Sequence, residues 1–168
     1  YSSFEAMLAG EKLDALDIAT PRRFHATNVR TGAAAGLPML CQKPLGVDLA
    51  EAAALVAEVG NRVPLMVHEN WRFRPYYREL RDWLEVGVVG DITSIRLDFH
   101  SSGMIAGVDG QRPALVRQPF FRGEQRLLVM EVLIHHLDTL RSLFGEFDLH
   151  SARLGRSNDE ILGEDSAI

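Results

Sequence analysis

The sequence has a single cysteine, no long hydrophobic run and no excess of basic residues. Cys41 has no second cysteine to pair with, so an internal disulfide is excluded and a reducing compartment fits best. No apolar run approaches the ~18 residues that a membrane-spanning helix needs, and the N-terminus has no basic segment followed by an apolar one. We therefore expect a cytoplasmic protein. A net charge of −5 and a pI of about 5.7 argue against nucleic acid or an anionic membrane as the partner.

The first half of the chain alternates between short apolar runs and helical patterns. Apolar runs predict strands at 15–19, 37–41 and 64–68. Strands of this kind, separated by helices of roughly ten to fifteen residues, indicate a parallel sheet with both faces covered. In such sheets the ligand crevice lies beyond the carboxyl ends of the strands. Three segments fall at those ends: Thr20-Pro21, Gln42-Lys43-Pro44 and Glu69-Asn70-Trp71.

Helix boundaries in this half are predicted from capping residues. Ser2 with Glu5 forms a capping-box pattern that opens a short helix over 4–9. Two longer helices separate the predicted strands, and they are bounded by Thr20, Pro21 and Gly36, and by Asp48, Glu51 and Gly60. The repeated order of strand, cap and helix supports the parallel sheet.

The pattern changes after Pro75, which begins a helix predicted to end near Val86. Residues 92–101 alternate between apolar and polar side chains, which is typical of an antiparallel strand with one solvent-exposed face. A glycine- and proline-containing loop then leads into a helix over 127–144. We therefore predict a second domain that begins near Arg74.

The last predicted helix carries Glu131, His135, Asp138 and Ser142 at spacings that place them on one stripe. Four apolar side chains occupy the opposite stripe: Leu133, Leu137, Leu140 and Phe144. An amphipathic helix with its polar side in water explains this pattern. Metal binding by His135 and His136 is the weaker alternative, because adjacent histidines diverge on a helix and no third ligand is evident. We predict no metal site.

Four residues near the predicted crevice have both a functional and a structural interpretation. Lys43 follows a strand end and is either an active-site cation or a solvated surface charge. His25 lies in the first turns of a helix, where the positive dipole favours a phosphate, or it is a partly buried structural side chain. Trp71 and Arg72 offer an aromatic face and a fork of donors to a sugar ring, or they pack between domains.

Taken in order, five stretches resemble the oxidoreductase family of glucose-fructose oxidoreductase, inositol dehydrogenase and MocA (Gfo/Idh/MocA). They are Leu16–Pro21 with His25, Gly36–Leu45, His68–Pro75, Gly87–Gly90 and Glu131–Asp138. The resemblance covers nearly the whole chain and implies an α/β fold in two parts. Residues 1–73 would form the C-terminal half of a Rossmann-type parallel sheet, a partial dinucleotide-binding domain. Residues 74–168 would start an α+β domain with an antiparallel sheet, a partial substrate and oligomerisation domain.

The resemblance also implies chemistry. Family members transfer a hydride between NAD or NADP and a hydroxyl-bearing carbon of a sugar, inositol or related polyol. In this pattern His135 is the general base, Lys43 stabilises the developing oxyanion, and Glu131 orients the imidazole or holds a substrate hydroxyl. The residues implied to border the cofactor are Thr20, Pro21, His25 and Lys43. Those implied to border the substrate are Trp71, Arg72 and His135.

Two residues depart from the family's pattern. Gln42 stands where the family has a glutamate, and Glu131 where it has an aspartate. These departures motivate one alternative function, a catalytically silent, cofactor-binding or regulatory relative. A third possibility is a folding and dimerisation unit without a ligand. The Gly-x-Gly-x-x-Gly loop and its ribose-binding acid are absent, so we expect both upstream of Tyr1 in a longer protein. Open edges of an incomplete sheet predict a homo-oligomer.

Overall fold

The computed structural model describes every residue from Tyr1 to Ile168, and the chain divides into two compact units, Tyr1–Glu69 and Asn70–Ile168. The predicted boundary at 73/74 falls a few residues after this division. A three-stranded parallel sheet lies in the first unit and a two-stranded antiparallel sheet in the second. The predicted α/β fold class is therefore confirmed.

The first unit repeats the order of helix and strand that the sequence predicts. Its elements are α1 (Phe4–Gly10), β1 (Leu16–Ile18), α2 (His25–Ala34), β2 (Met39–Gln42), α3 (Leu49–Val59) and β3 (Leu65–His68). The strand order is β1-β2-β3 and both pairings are parallel. All three predicted strands are present, each slightly shorter or shifted relative to its apolar run.

The core of this unit lies between the sheet and its helices. Its buried residues are Leu16, Ile18, Ala26, Val29, Ala33, Met39, Cys41, Leu55, Val59 and Val63. Cys41 is completely buried in the central strand, and that burial, together with the charge of Asp17, raises the pKa of its thiol to about 11. A thiol of this kind is inert in the folded state.

Two capping predictions are wrong in detail. The cap of α1 is Ser3, whose hydroxyl accepts from the Ala6 backbone N–H, and not Ser2. Thr20 does not cap α2, because a 3₁₀ turn over Arg22–Phe24 comes between them. The Thr20 hydroxyl instead accepts from the side-chain amide of Asn28 at 3.1 Å.

The capping prediction for α3 is confirmed. The Asp48 carboxylate accepts from the Glu51 backbone N–H at 2.8 Å, and the Glu51 carboxylate accepts from the Val47 N–H at 2.8 Å. Gly60 follows the last residue of the helix as predicted. These reciprocal bonds satisfy backbone donors that the first turn of a helix leaves without intrahelical partners.

The second unit is mainly helical. Its elements are α4 (Pro75–Glu85), α5 (Pro113–Arg117), a π-helix (Val129–Leu133), α6 (Ile134–Phe144), β4 (Leu154–Gly155) and β5 (Ser166–Ala167). A small core is formed by Leu115, Phe121, Leu127 and Ile161. None of the helices in either unit combines the length and the hydrophobicity that crossing a membrane requires.

The strand predicted over 92–101 is not formed. Residues 92–100 have no regular secondary structure and are exposed, and the antiparallel sheet of this unit consists of β4 and β5 instead. A strand needs a neighbour to bond its backbone N–H and C=O groups, and no other strand of the chain pairs with this segment. Alternation of side chains alone therefore does not produce a strand here.

Burial on α6 also differs from the prediction. The buried residues of this helix are His136 and Thr139, whereas Leu137, which belongs to the predicted apolar stripe, is 50% exposed. Residues 71–73 pack against α6 and contact its histidines and Asp138. The polar side of the helix is thus a packed surface within this unit.

Candidate active site

The carboxyl ends of the three parallel strands meet at one edge of the sheet. Ile18 pairs with Cys41, and Gln42 pairs with His68, so the strands end nearly level with one another. Thr20 lies two residues after the end of β1, and Lys43 follows β2 directly. The predicted crevice segments of the first unit therefore lie together at the edge where parallel sheets bind ligands.

At this edge the side chains of Gln42 and His68 are hydrogen-bonded. The Gln42 Nε2 atom lies 2.5 Å from Nδ1 of His68. An amide nitrogen only donates, so Nδ1 accepts and the proton of the neutral ring is on Nε2. A glutamate at position 42, as in the family's pattern, would instead accept from a protonated Nδ1. The glutamine therefore reverses the direction of this bond.

His25 is buried and connects two of the loops at the same edge. Its Nδ1 lies 2.7 Å from the carbonyl oxygen of Pro44, and its Nε2 lies 2.7 Å from that of Thr20. Carbonyl oxygens only accept, so both bonds form together only when both ring nitrogens carry protons. His25 thus connects the segment after β1 to the segment after β2 through both of its ring nitrogens.

The donors at this edge fit part of a nicotinamide dinucleotide. Thr20 is exposed, Lys43 is half-buried, and the two residues contribute a hydroxyl and an ammonium group. Hydroxyl and ammonium donors suit ribose oxygens, the carboxamide and phosphates. Pro21 lies between Thr20 and the 3₁₀ turn, where it contributes an apolar surface beside these donors.

In the second unit, the indole ring of Trp71 contacts three side chains. The imidazole of His135 stacks on it with ring centres 4.6 Å apart and an angle of 6° between the planes. The ring of His136 meets it edge-on at 4.8 Å. The guanidinium carbon of Arg74 lies 3.8 Å from the centre of the indole, a cation–π contact. Trp71 is therefore already packed within its own unit.

Arg72 forms a bidentate ion pair with Asp138. Its Nε atom lies 2.6 Å from Oδ2, and its Nη2 atom donates to Oδ1. Both side chains are partly buried, with 35% of Arg72 and 17% of Asp138 exposed. Asp138 lies three residues after His135, so the two side chains are neighbours on one face of α6.

Glu131 lies in the π-helix that precedes α6. The predicted stripe assumed 3.6 residues per turn, for which residues 131 and 135 lie one above the other. A π-helix has i→i+5 hydrogen bonds and a wider turn than an α-helix. Single π turns occur frequently at functional sites.

The structure therefore groups the predicted residues in two clusters, one in each unit. The sheet edge of the first unit has Thr20, Pro21, His25 and Lys43, and the second cluster has Trp71, Arg72 and His135, with Glu131 on the adjoining π-helix. Sequence reasoning missed the partners of these residues: His68, Arg74, His136 and Asp138. No group of three or more His, Cys, Asp or Glu side chains is arranged to hold a metal ion.

Comparison with known proteins extends over both units. Residues 1–68 match the profile of an oxidoreductase family with an NAD-binding Rossmann fold, GFO_IDH_MocA. The D-apiose dehydrogenase of Paraburkholderia graminis is 37% identical over 169 residues, which cover 99% of this chain and 42% of that enzyme. The D-apiose dehydrogenase of Rhizobium rhizogenes is 34% identical, over 99% of this chain and 46% of that enzyme.

A solved structure also matches the whole chain. It is that of an oxidoreductase from Agrobacterium radiobacter in complex with NAD⁺, L-tartaric acid and magnesium. The match has a TM-score of 0.82 and 32% sequence identity, and it covers 99% of this chain and 46% of the other. The chain spans less than half the length of the relatives it matches.

The three-stranded parallel sheet, together with the matching NAD-binding profile, assigns the first unit to the class of Rossmann-type folds. Within that class, the family whose profile residues 1–68 match is Gfo/Idh/MocA, and the similarity to a dehydrogenase extends over 99% of the chain. The resemblance predicted from the five sequence stretches is thus confirmed. The cofactor of the family is a nicotinamide dinucleotide, NAD or NADP, and its curated relatives here include sugar dehydrogenases.

Proposed function

We propose that this chain supplies binding and catalytic residues of an NAD(P)-dependent oxidoreductase that acts on a hydroxyl-bearing carbon of a sugar or related polyol. The observation that carries this proposal is the 37% identity to a D-apiose dehydrogenase, which extends over 99% of the chain and so over both units. D-apiose is therefore the first substrate to test, followed by other aldoses, inositols and polyols.

Oxidation of such a carbon removes a hydride from carbon and a proton from oxygen. The nicotinamide, when bound, accepts the hydride. We assign the proton to the imidazole of His135 and the stabilisation of negative charge on the oxygen to the ammonium group of Lys43. Glu131 holds a substrate hydroxyl or orients the imidazole. Support for these roles comes from the position of Lys43 after β2 and from the ring stacking that fixes His135.

The cofactor-facing residues of the proposal are those of the sheet edge. Thr20, Pro21 and Lys43 border the dinucleotide. His25 supports the same edge indirectly, because its ring nitrogens are engaged by the carbonyl oxygens of Thr20 and Pro44. We therefore expect His25 to shape the cofactor site and not to donate to a phosphate.

The test is an activity screen of the full-length protein that contains this chain. NAD⁺ and NADP⁺ are each combined with D-apiose and a panel of sugars and polyols, and formation of the reduced cofactor is followed by absorbance. We expect turnover with at least one sugar, and a decrease of roughly 10²–10⁴-fold in kcat for His135→Asn, because the variant has no base. The control is His100→Asn, since His100 lies in the exposed segment without regular structure.

Three outcomes would decide between the alternatives. Turnover that His135→Asn leaves unchanged would contradict the assignment of the base. Tight binding of a dinucleotide without turnover of any substrate would favour the catalytically silent relative, for which the substitutions at Gln42 and Glu131 are the motivation. Absence of both binding and turnover would favour a folding and dimerisation unit. The homo-oligomeric state stays a prediction, which light scattering of the same protein tests.

A further inference from the structure

Trp71 is the centre of a side-chain cluster that includes His135, the proposed base. The near-parallel stacking with His135 restricts the rotation of the imidazole about its own side-chain bonds, because a turned ring would collide with the indole. On the same indole, Arg74 makes a cation–π contact and His136 makes an edge contact. The ring of His136 also approaches Phe99 at 4.8 Å. These contacts compete with any ligand for the surface of the indole.

Arg72, the next residue along the chain, engages the same helix at a second point. Its guanidinium fork is occupied by both carboxylate oxygens of Asp138. Asp138 follows His135 by three residues, which is about 4.5 Å along the axis of an α-helix. Two consecutive residues therefore hold α6 at two points nearly one turn apart. Two points of attachment fix the rotation of a helix about its axis, which one point does not.

We propose that Trp71 and Arg72 are positioning residues that orient the imidazole of His135, and that they do not bind the substrate. The inference rests on the proposed role of His135 as the base. It replaces the expectation, implied by the family resemblance, that Trp71 and Arg72 border the sugar. Asp138 and Arg74 belong to the same positioning cluster. Asp138 binds Arg72, and Arg74 packs on Trp71.

The two assignments predict different kinetics for Arg72. A residue that hydrogen-bonds the substrate contributes to KM, and its loss depends on which sugar is offered. A residue that acts only through Asp138 contributes to kcat, and its loss has no further effect once Asp138 is changed. Misplacement of a reacting group by about 1 Å can lower a rate by roughly 10²-fold, so a positioning role is measurable.

The first experiment is a double-mutant cycle in the full-length enzyme with Arg72→Met, Asp138→Asn and both together. We expect each single variant to lower kcat roughly 10- to 100-fold, with KM within twofold of the wild-type value. The double variant should be no slower than the slower single variant, since one ion pair is lost in every case. A rise in KM confined to Arg72→Met, or independent effects that multiply in the double variant, would overturn the proposal.

The second experiment does not depend on turnover. In the full-length protein, the stacked indole should shield the ring protons of His135, and NMR measures this as an upfield displacement of their signals. Trp71→Leu should abolish the displacement, and Trp71→Phe should keep part of it because a ring remains. Trp83→Leu is the control, because Trp83 lies on α4 and is 49% exposed.

The Asp138→Asn variant gives this experiment its decisive comparison. Loss of the second attachment point should reduce the displacement at His135 although the indole is intact. Equal shielding in Asp138→Asn and in the wild type would show that the Arg72–Asp138 ion pair does not help to orient His135. Absence of shielding in the wild type would overturn the proposal that Trp71 and Arg72 orient His135. Clear shielding in an enzyme without turnover would leave the positioning intact and would count against the proposed function alone.

Discussion

Substitution of His25 by leucine tests the physical account of the sheet edge most sharply. Leucine has a similar volume but no donor, so the carbonyl oxygens of Pro44 and Thr20 both lose a hydrogen bond of 2.7 Å. The Pro44 contact is buried and the Thr20 contact is only partly so. Water can therefore replace the ring at Thr20 more easily than at Pro44.

The expected cost follows from these two oxygens. A buried acceptor that loses its donor costs about 1–3 kcal/mol, and a partly solvated one costs roughly half of that. We expect a net loss of roughly 2–3 kcal/mol, a large part of the ~5–15 kcal/mol that stabilises a typical domain.

Cys41 provides the assay, because it is the sole cysteine of the chain and is completely buried in β2. Its reaction with a chromogenic disulfide reports the opening of the first unit, and with fast reclosing the rate follows the opening equilibrium. Labelling of His25→Leu should be roughly 30- to 150-fold faster than that of the wild type. His25→Gln, which donates from one amide group, should fall between them.

The matched control is His100→Leu, an exposed site at which the same exchange should leave the labelling rate unchanged. If His25→Leu is labelled at a rate within threefold of the wild-type rate, the carbonyl contacts do not hold the loops together. The same conclusion would follow if His25→Leu and His100→Leu accelerate labelling equally.

Three further predictions concern stability and the Gln42 bond. Gly163→Ala should destabilise the second unit by about 1–3 kcal/mol in urea unfolding, because a Cβ there would lie 2.6 Å from the carbonyl oxygen of Glu124. Stability of the first unit should fall as pH rises from 9 towards 11, by at most about 2 kcal/mol, because the pKa of the Cys41 thiol is raised by burial and unfolding then releases its proton. Gln42→Glu should move the proton of the neutral His68 ring from Nε2 to Nδ1, which ¹⁵N NMR of the imidazole detects.

Each of these predictions has its own control. Gly123→Ala should leave stability nearly unchanged, since no atom lies within 4 Å of the added Cβ. The alkaline loss of stability, followed by circular dichroism, should be smaller in Cys41→Ala, and equal losses would assign it to other groups. An unchanged ring tautomer in Gln42→Glu would show that the glutamine does not set the proton position.

Much of the first unit could be predicted because its determinants are local. Three apolar runs and the Asp48 cap specify strands and a helix within a few residues of sequence, and the structure has all of them. The segment over 92–101 has an equally regular pattern but lacks a strand to pair with, so its outcome depends on residues elsewhere. A strand is a property of a sheet and cannot be predicted from its own alternation alone.

The same distinction applies to the candidate site. Lys43 and His135 could be identified from family-like motifs, and the position of Lys43 after β2 follows from the parallel-sheet pattern. The partner of Arg72 could not be predicted, because Asp138 is 66 residues away in sequence and no local pattern joins the two. The π turn at Glu131 was also missed, since its residues are compatible with an ordinary α-helix.

Lys43 assists the proposed hydride transfer, and the chain has one other lysine, Lys12, as an exposed control. The measurement is kcat/KM for oxidation of the preferred sugar by the full-length protein carrying Lys43→Met or Lys12→Met. We predict a decrease of roughly 10²–10³-fold for Lys43→Met, because the oxyanion loses its counter-charge, and no change beyond twofold for Lys12→Met. Equal kcat/KM values for the two variants would contradict the account.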